Sequence, residues 1–377
     1  MKRPDQREMR TLPVLEERRR ELETCVFCPK LCRSACPVSN AEPREALTPW
    51  GKMSLAYFVA HGDVGLEPST TDTAWACTGC YACRERCDHR NEVGPTLLDA
   101  RNAQRKKGHA PFGATRVLNT FDRHNRATEE AIRELNHHKS VRRDADTAVL
   151  VGCSYARAAI PEARDVVTAA AVLAGEEVCL SESCCGLPLL LAGDQDRFSA
   201  HAKQFRKSVE VKKRIVVHDA GCAMALRVHY PRAGVVLSQP VELLVEHAAR
   251  AVTRLSHVPL KANETVRYHD PCQLGRGLGV YEAPRAVLGR ILGEPPKEFD
   301  DNRQKGMCSG AGGLLPSTMP EVAKEITVQR LSDHVELGGG RIVTACASSL
   351  LAFRTRTELP IDDIATWIAR SLEASRV

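Results

Sequence analysis

The chain has 377 residues, is 43% hydrophobic and 27% charged, and carries a net charge of +6. These values argue against disordered, collagen-like and membrane-spanning classes, and the length predicts two or three domains. Sixteen residues are cysteine. Because the N-terminal segment lacks the apolar core and the cleavage site of a secretory signal, we expect a cytoplasmic protein whose cysteines serve metal or redox chemistry rather than disulfides.

The N-terminal region is predicted to be helical, since strand signals are nearly absent before residue 145. A charged helix is expected over 11–23, with Leu12, Leu15 and Leu22 on one side. A short apolar helix is expected over 53–60, where it would pack between turns that carry a cofactor.

Eight cysteines of this region form two groups, Cys25-x2-Cys28-x3-Cys32-x3-Cys36-Pro37 and Cys77-x2-Cys80-x2-Cys83-x3-Cys87. Such runs wrap [4Fe–4S] clusters, and the fourth cysteine of each run binds the other cluster. The spacing therefore predicts one cluster on Cys25, Cys28, Cys32 and Cys87. It predicts a second cluster on Cys77, Cys80, Cys83 and Cys36. Tetrahedral zinc is the alternative, but runs of four with such short gaps are not typical of zinc ribbons.

The next segment, residues 101–143, is strongly basic. It contains eleven Lys or Arg and four acidic residues, a balance of +7 that accounts for the whole positive excess of the chain. We expect a linker with solvated helix faces, and a docking surface for an acidic partner or an anionic membrane is the alternative. Nucleic acid is not expected as a partner, because neither stacking aromatic residues nor a groove-reading motif accompanies the charge.

From residue 144 the pattern becomes α/β and repeats itself. Four β-rich runs each end one to four residues before a cysteine, at Cys153, Cys222, Cys272 and Cys346. The segment that begins at Pro240 recurs 120 residues later at Pro360, which indicates a tandem duplication. Because ligands collect at the carboxyl ends of parallel strands, we expect these cysteines to meet there. Cys179 lies inside an apolar run and is expected to be a core residue.

Several motifs carry a family resemblance. Trp75-Ala-Cys77-Thr-Gly-Cys80-Tyr-Ala-Cys83 resembles the second motif of the α-helical ferredoxin domain of heterodisulfide reductase and of respiratory iron–sulfur subunits. Three further segments resemble motifs of the CCG domain. They are Ser183-Cys184-Cys185-Gly186-Leu187-Pro188, His269-Asp270-Pro271-Cys272 and Cys308-Ser309-Gly310-Ala311-Gly312-Gly313. That domain occurs twice in the catalytic subunit of heterodisulfide reductase, and in the iron–sulfur subunits of glycolate oxidase and anaerobic glycerol-3-phosphate dehydrogenase.

The resemblance implies an α+β multidomain fold, in which an α-helical ferredoxin domain with two [4Fe-4S] motifs precedes two tandem α/β CCG repeats related by pseudo-twofold symmetry. The domains expected are a ferredoxin domain at 1–100, a basic linker at 101–143, a first CCG repeat at 144–262 and a second at 263–377. The resemblance covers nearly the whole chain from Cys25 onwards.

In heterodisulfide reductase each CCG repeat supplies five cysteines to a non-cubane [4Fe–4S] cluster. Here the first repeat has four of them, Cys153, Cys184, Cys185 and Cys222, with Asp219 at the remaining position. The second repeat has three, Cys272, Cys308 and Cys346, and Ser309 and Val343 are assigned to the missing positions. The resemblance thus implies a third cluster, cubane or non-cubane, in the first repeat or shared between the repeats.

The function implied is that of an iron–sulfur electron-transfer subunit of an oxidoreductase. Electrons would come from a flavoprotein dehydrogenase or an electron-transfer flavoprotein, pass through two [4Fe-4S] clusters to the CCG half, and leave to a quinone, a disulfide or another carrier. A membrane quinone or membrane subunit would place the protein peripherally on the cytoplasmic face.

Two alternatives stay open at this point. One is a heterodisulfide reductase-like catalytic subunit that reduces a disulfide at a non-cubane cluster, and the other is a non-catalytic scaffold or sensor that binds clusters. The sequence assigns no catalytic residue. His218, His269 and Asp270 lie near strand ends beside cysteines, where they would either relay protons or serve as structural groups.

Overall fold

The structure, a computed structural model, describes residues 7–30 and 32–374. The chain forms two compact units, and each is assembled from several segments. The first unit contains residues 1–120, 188–195 and 307–329, and the second contains residues 121–187, 196–306 and 330–377. Two short segments from the second half of the sequence therefore belong to the same unit as the N-terminal region.

The regular elements described before residue 140 are all helical, as predicted. Their bounds are α1 Arg19–Val26, α2 Pro37–Ala41, α3 Pro49–His61, α4 Pro68–Thr71, α5 Ala82–Glu85, α6 Val93–Lys106 and α7 Phe112–Leu135. The charged helix expected over 11–23 begins as a 3₁₀ turn at Pro13–Arg18 and continues as α1. Leu12, Leu15 and Leu22 are all buried, as their spacing predicts.

Helix α3 joins the two cysteine groups and has well-defined ends. The Thr48 side chain accepts a hydrogen bond from the Gly51 N–H, and Pro49 occupies the first helical position, where its missing N–H costs nothing. The helix ends at Gly62, whose φ of +81° is the left-handed conformation that glycine adopts without strain. The apolar helix expected over 53–60 thus exists and is longer at both ends.

The basic segment 101–143 is mostly helical. Helix α6 ends at Lys106, and α7 runs from Phe112 to Leu135. Lys106 and Lys107 are exposed, whereas Arg101 is only 2% exposed. One of the predicted solvated charges is therefore a buried cation.

The first repeat forms a four-stranded parallel sheet in the second unit, with the strand order β2-β1-β3-β4. Its elements are β1 Thr147–Leu150, α8 Cys153–Ala158, α9 Ile160–Ala174, β2 Cys179–Leu180, α10 Leu187–Leu191, α11 Gln195–Ser208, β3 Arg214–Val217, α12 Ala220–Met224, α13 Tyr230–Arg232, β4 Val241–Leu243 and α14 Leu244–Arg250. Cys179 is buried in β2, as its apolar context predicts.

The second repeat forms a three-stranded parallel sheet with the order β5-β6-β7. Its elements are β5 Val266–Tyr268, α15 Glu282–Leu292, α16 Leu315–Thr318, α17 Pro320–Glu336, β6 Arg341–Thr344, α18 Ala347–Arg354, β7 Ile361–Asp363 and α19 Ile364–Ala374. The arrangement confirms a helical region followed by two α/β repeats.

Within the second unit the two repeats pack against each other reciprocally. Helix α9 of the first repeat contacts α19 of the second, and α14 of the first contacts α15 of the second. Since α9 corresponds to α15 and α14 to α19, each contact is the counterpart of the other. This is the pairing that a pseudo-twofold relation requires. Among the residues that the structure describes, no helix has the length and apolar character needed to cross a bilayer.

Candidate iron–sulfur sites

The first predicted ligand set, Cys25, Cys28, Cys32 and Cys87, comes together in the first unit. The Cys25 thiol interacts electrostatically with the other three thiols. Burial raises the pKa of Cys25 to about 12 and that of Cys32 to about 11, so these thiolates need a bound cation to form. The Asn91 side-chain amide donates a hydrogen bond to the Cys25 sulfur at 3.0 Å, a neutral contact of the kind that orients metal ligands.

The second predicted ligand set, Cys36, Cys77, Cys80 and Cys83, lines a single pocket of the first unit. Burial raises the pKa of Cys77 and of Cys83, as it does in the first set. The Lys52 side chain of α3 lines the same pocket, and its Nζ lies 3.5 Å from the Cys36 sulfur. The two sets predicted from the spacing are thus grouped as two separate sites.

Two buried cations lie beside the second set. Lys52 and Arg101 are each 2% exposed, and no carboxylate among residues 7–30 and 32–374 forms an ion pair with either. The Arg101 guanidinium donates to four backbone carbonyl oxygens, at 2.8–3.0 Å: those of Ala74, Cys77, Leu191 and Gly313. Burial lowers the pKa of Arg101 to about 10. Uncompensated buried cations are costly, and an anionic iron–sulfur cluster on four thiolates would neutralise them. The residues present therefore fit such a cluster.

A recurring Cys-x-Gly turn holds one sulfur in each of three cysteine motifs. The N–H of Gly79 donates to the Cys77 sulfur, that of Gly186 to the Cys184 sulfur and that of Gly310 to the Cys308 sulfur, each at 3.4 Å. All three glycines have positive φ, between +65° and +82°. The turn directs a backbone N–H at sulfur, which is how proteins stabilise cluster-bound thiolates.

The four cysteines predicted as a third site in the first repeat lie in the second unit, where Cys184, Cys185 and Cys222 are buried and Cys153 is half-buried. The thiols interact electrostatically in neighbouring pairs, Cys153 with Cys184, Cys184 with Cys185 and Cys185 with Cys222. The neighbouring Cys184 thiol and burial raise the pKa of Cys153 well above its usual range. The Cys185 thiol lowers the pKa of Cys222, but burial and Asp219 raise it to about 12.

The loop that carries Cys184 and Cys185 is fixed by side chains from three helical segments. The Cys184 N–H donates to the side-chain oxygen of Asn125 on α7 at 3.1 Å, and the His201 ring on α11 lies 2.7 Å from the Cys184 carbonyl oxygen. The Tyr230 hydroxyl donates to the Cys185 carbonyl oxygen at 3.0 Å. The paired cysteines are thus held by polar contacts on both sides.

Asp219, at the position of the missing cysteine, serves as a helix cap. One carboxylate oxygen accepts hydrogen bonds from the N–H groups of Gly221 and Cys222 in α12, at 2.9 and 3.1 Å. The other accepts from the N–H of Ala347 at the start of α18, at 3.2 Å. With both oxygens engaged, Asp219 bridges the first turns of two helices, one from each repeat.

The cysteines of the second repeat are divided between the units. Cys308 belongs to the first unit, and Cys272 and Cys346 belong to the second. Cys346 is the N-cap residue of α18, and burial raises its pKa to about 12. Ser309, at a position without a cysteine, accepts a hydrogen bond from Thr327 through its backbone carbonyl oxygen.

The assignment of Val343 to a missing cysteine position was wrong. Val343 lies inside β6 and pairs with strand residues on both sides, so it cannot be a ligand. Strands β3 and β6 both begin with Arg-Ile-Val, and the N-cap residue follows each strand at the same distance, Asp219 after β3 and Cys346 after β6. Cys346 therefore corresponds to Asp219, and Ser349 corresponds to Cys222.

A buried hydrogen-bonded group joins the repeats near these helix caps. The Tyr155 hydroxyl donates to one carboxylate oxygen of Asp363 at 2.5 Å, and the His218 ring lies 2.7 Å from the other oxygen. All three side chains are at most 3% exposed. Sequence reasoning identified His218 but not its partners, because Tyr155 and Asp363 are 208 residues apart.

The other two polar candidates are held in local contacts. Asp270 accepts two hydrogen bonds from the Arg285 guanidinium, both at 2.8 Å. His269 is buried beside Arg330, and burial lowers its pKa well below the usual range. A neutral imidazole and a paired carboxylate match the structural interpretation of these residues.

Comparison with known families supports the same organisation. The 4Fe-4S dicluster domain family matches residues 21–91, and the cysteine-rich CCG domain family matches twice, at residues 147–227 and 266–354. These matches coincide with the helical region and with the two parallel sheets. A dicluster domain implies two [4Fe-4S] clusters.

Curated relatives extend the similarity over almost the whole chain. One component of the dihydromethanophenazine:CoB--CoM heterodisulfide reductase of Methanosarcina barkeri is 26% identical, over 94% of this chain and 95% of its own length. One component of the fumarate reductase (CoM/CoB) of Methanothermobacter marburgensis is 26% identical, over 87% of this chain and 66% of its own length. The crystal structure of a hypothetical protein from Helicobacter pylori superposes with a TM-score of 0.57 over 96% of this chain and 76% of its own, at 8% identity, a likeness of fold alone.

Proposed function

Because the chain belongs to the CCG-domain iron–sulfur oxidoreductases related to heterodisulfide reductase, we propose that it carries electrons between a flavoprotein and a terminal acceptor. The donor is a flavoprotein dehydrogenase or an electron-transfer flavoprotein. Electrons pass through two [4Fe-4S] clusters to the CCG half, and from there to a quinone, a disulfide or another carrier. The clusters supply one-electron redox chemistry, and the chain fixes and tunes them.

One observation carries this proposal. The first unit groups its eight cysteines into two sets of four, in which Cys25, Cys36 and Cys80 are buried and the others half-buried. Beside the second set lie two buried cations without an ion-pair partner among the described residues. The chain's own residues therefore provide two sites that differ in electrostatic surroundings, a neutral amide at one and positive charge at the other. Such a difference sets the order in which the sites accept electrons.

Metal analysis tests the cluster content. The full chain is purified without oxygen, and its iron and acid-labile sulfide are counted. At four irons per cluster, about eight irons correspond to the ferredoxin pair alone, and about twelve to an additional cluster in the first repeat. We expect about twelve. Bound zinc without sulfide would contradict the proposal.

Electron delivery is tested with purified flavoprotein partners. We expect anaerobic mixing with a reduced electron-transfer flavoprotein or flavoprotein dehydrogenase to bleach the iron–sulfur absorbance of the chain at a rate that saturates with partner concentration. Bleaching by dithionite alone, with none by any flavoprotein offered, would contradict a flavoprotein donor while leaving the clusters in place.

Disulfide reduction is the second candidate function, and the two adjacent buried thiols of Cys184 and Cys185 favour it. Reduction breaks one S–S bond, consumes two electrons from the flavoprotein and two protons, and releases two thiols. A Cys185→Ser variant that loses disulfide reduction but still passes electrons to a dye would support it, with Cys179→Ser as the control. Unchanged disulfide reduction in Cys185→Ser would refute it.

A further inference from the structure

His124 lies on α7, outside both regions that match the CCG domain, and yet it faces the cysteines of the first repeat. A ring nitrogen of His124 and the sulfur atoms of Cys153 and Cys184 all lie within 4.8 Å of one another. His124 also interacts electrostatically with the Cys153 thiol. An imidazole and two thiols are ligand types that bind transition metals, and at this separation the three residues could hold a metal ion.

Helix α7 holds His124 in place through the next residue. Asn125 accepts the hydrogen bond from the Cys184 N–H, so two consecutive residues of α7 contact the same loop, one at the backbone and one at the sulfur atoms. Phe121, one turn earlier, is buried against the edge of the His201 ring. The position of His124 is thus built into the packing of this helix.

The two ring nitrogens of His124 have different surroundings. Nδ1 lies 2.6 Å from a guanidinium nitrogen of Arg157, whose side chain is exposed. Nε2 is buried and has no hydrogen-bond partner within the described ranges 7–30 and 32–374. A buried nitrogen without a partner is costly, and a metal bond to Nε2 would satisfy it. The neutral ring then carries its proton on Nδ1, so the Arg157 guanidinium, which is itself a donor, has to leave Nδ1 for solvent.

We propose that His124 is the fifth protein ligand of the cluster held by Cys153, Cys184, Cys185 and Cys222. It replaces the cysteine for which the chain has Asp219, whose two carboxylate oxygens are already bonded to backbone N–H groups. An uncharged imidazole in place of a thiolate makes the site less negative, and histidine ligation of this kind raises the reduction potential of iron–sulfur centres. The inference rests on the proposed third cluster.

Nitrogen hyperfine spectroscopy tests the ligand directly. The anaerobically purified full chain is prepared with ordinary and with ¹⁵N-labelled histidine, and the reduced protein is examined by pulsed EPR. We expect a strong histidine nitrogen coupling in the native protein and in His137→Ala, a control at an exposed histidine just beyond α7. We expect the coupling to vanish in His124→Ala and in His124→Cys. In Arg157→Gln, where only the guanidinium contact is removed, it is expected to persist.

Iron release provides a second measurement. Loss of the residues that hydrogen-bond to a metal ligand already weakens metal affinity by about 10- to 100-fold. Loss of the ligand itself should weaken binding at least as much. In His124→Ala we therefore expect the iron of one cluster to pass to a chelator at least about tenfold faster. His124→Cys restores a thiolate and is expected to return the release rate to that of the native protein. Equal release from native protein and His124→Ala would overturn the inference.

The outcomes separate this inference from the function it rests on. A native protein with about eight irons has no third cluster, and both the third site and the role of His124 then fail. About twelve irons without histidine coupling, or with a coupling that survives in His124→Ala, overturn the role of His124 and leave the third cluster standing.

Discussion

Lys52, which is only 2% exposed, places a positive charge against the sulfur of Cys36. Charge near a cluster changes its reduction potential, because the reduced state carries one more negative charge. The first ligand set has the neutral amide of Asn91 instead. We therefore expect the second cluster to be reduced before the first.

The Lys52→Met variant tests this expectation. Removing the ammonium group should lower the potential of the second cluster by on the order of 100 mV, from Coulomb's law at an effective dielectric constant of about 20. Potentiometric titration followed by EPR measures both clusters, and the first should change little. Lys107→Met, at an exposed position, is the control. Equal shifts in Lys52→Met and Lys107→Met would contradict the assignment.

At the residue scale, spacing predicted which cysteines come together, because short gaps restrict which thiols one cluster can reach. It did not identify Lys52 or Arg101 as buried cations, although an isolated lysine inside the apolar α3 was a usable signal. His124 was missed for another reason. A single histidine in a basic helical segment has no local pattern, and only the packing of α7 against the Cys184 loop brings it to the site.

The Cys-x-Gly turn at Gly186 needs glycine both for its backbone conformation and for the space around it. A side chain there would adopt φ of +77°, and its Cβ would lie 2.7 Å from a ring carbon of His201. Gly175, at the end of α9, has φ of +72°, but no atom lies within 4 Å of the position that a Cβ would take there. An alanine would thus be strained by the backbone at either position, but only at Gly186 would it also meet a neighbouring side chain.

Gly186→Ala should therefore destabilise the protein more than Gly175→Ala. We expect about 1 kcal/mol for the backbone term in Gly175→Ala, and at least about 1 kcal/mol more in Gly186→Ala from the displaced His201. Urea unfolding gives the free energies, and metal analysis should show iron loss only in Gly186→Ala. Equal losses of stability would mean that the His201 ring moves aside without cost.

Asp363, at the end of β7, links the repeats through Tyr155 and His218 and also accepts the Ala365 N–H at 2.8 Å. Replacing it with alanine leaves three buried polar groups without a partner. We expect Asp363→Ala to lower the free energy of unfolding by about 3–5 kcal/mol. Glu358→Ala, at an exposed position of the preceding loop, should change it by less than about 0.5 kcal/mol. Differential scanning calorimetry distinguishes the two results.

Sequence periodicity predicted these elements well. Strands followed by cysteines marked the carboxyl edge of each sheet, and the repeat at Pro240 and Pro360 marked the duplication. The cysteine alignment at Val343 failed because it counted residues between cysteines. Strand register was the reliable guide, since β3 and β6 share their first three residues and their N-cap positions.

For the whole molecule, the first unit matters because it is assembled from segments that are far apart in the sequence. Its core around Cys36 includes Leu47 and Ala76 from the N-terminal region, and also Leu315, Ala323 and Ile326 from the segment 307–329. Arg101 finds two of its four carbonyl acceptors, at Leu191 and Gly313, in the inserted segments. No continuous N-terminal fragment contains these partners.

A fragment of residues 1–143 should therefore hold only one of the two clusters. We expect it to bind about four irons after anaerobic purification, against about eight in the ferredoxin region of the full chain. The second site would be the one lost, because its supporting core and the Arg101 acceptors are missing. A monomeric fragment with about eight irons and a native-like EPR spectrum would contradict this expectation.

The interleaving of the first unit also orders the events of synthesis. The ribosome makes all eight ferredoxin cysteines by residue 87, but the last segment of their unit ends only at residue 329. While the intervening residues are being translated, the ferredoxin cysteines are already present, but the segments that complete their unit are not. We therefore expect insertion of the second cluster to wait until most of both repeats has been made, so that assembly of this site follows near-completion of the chain.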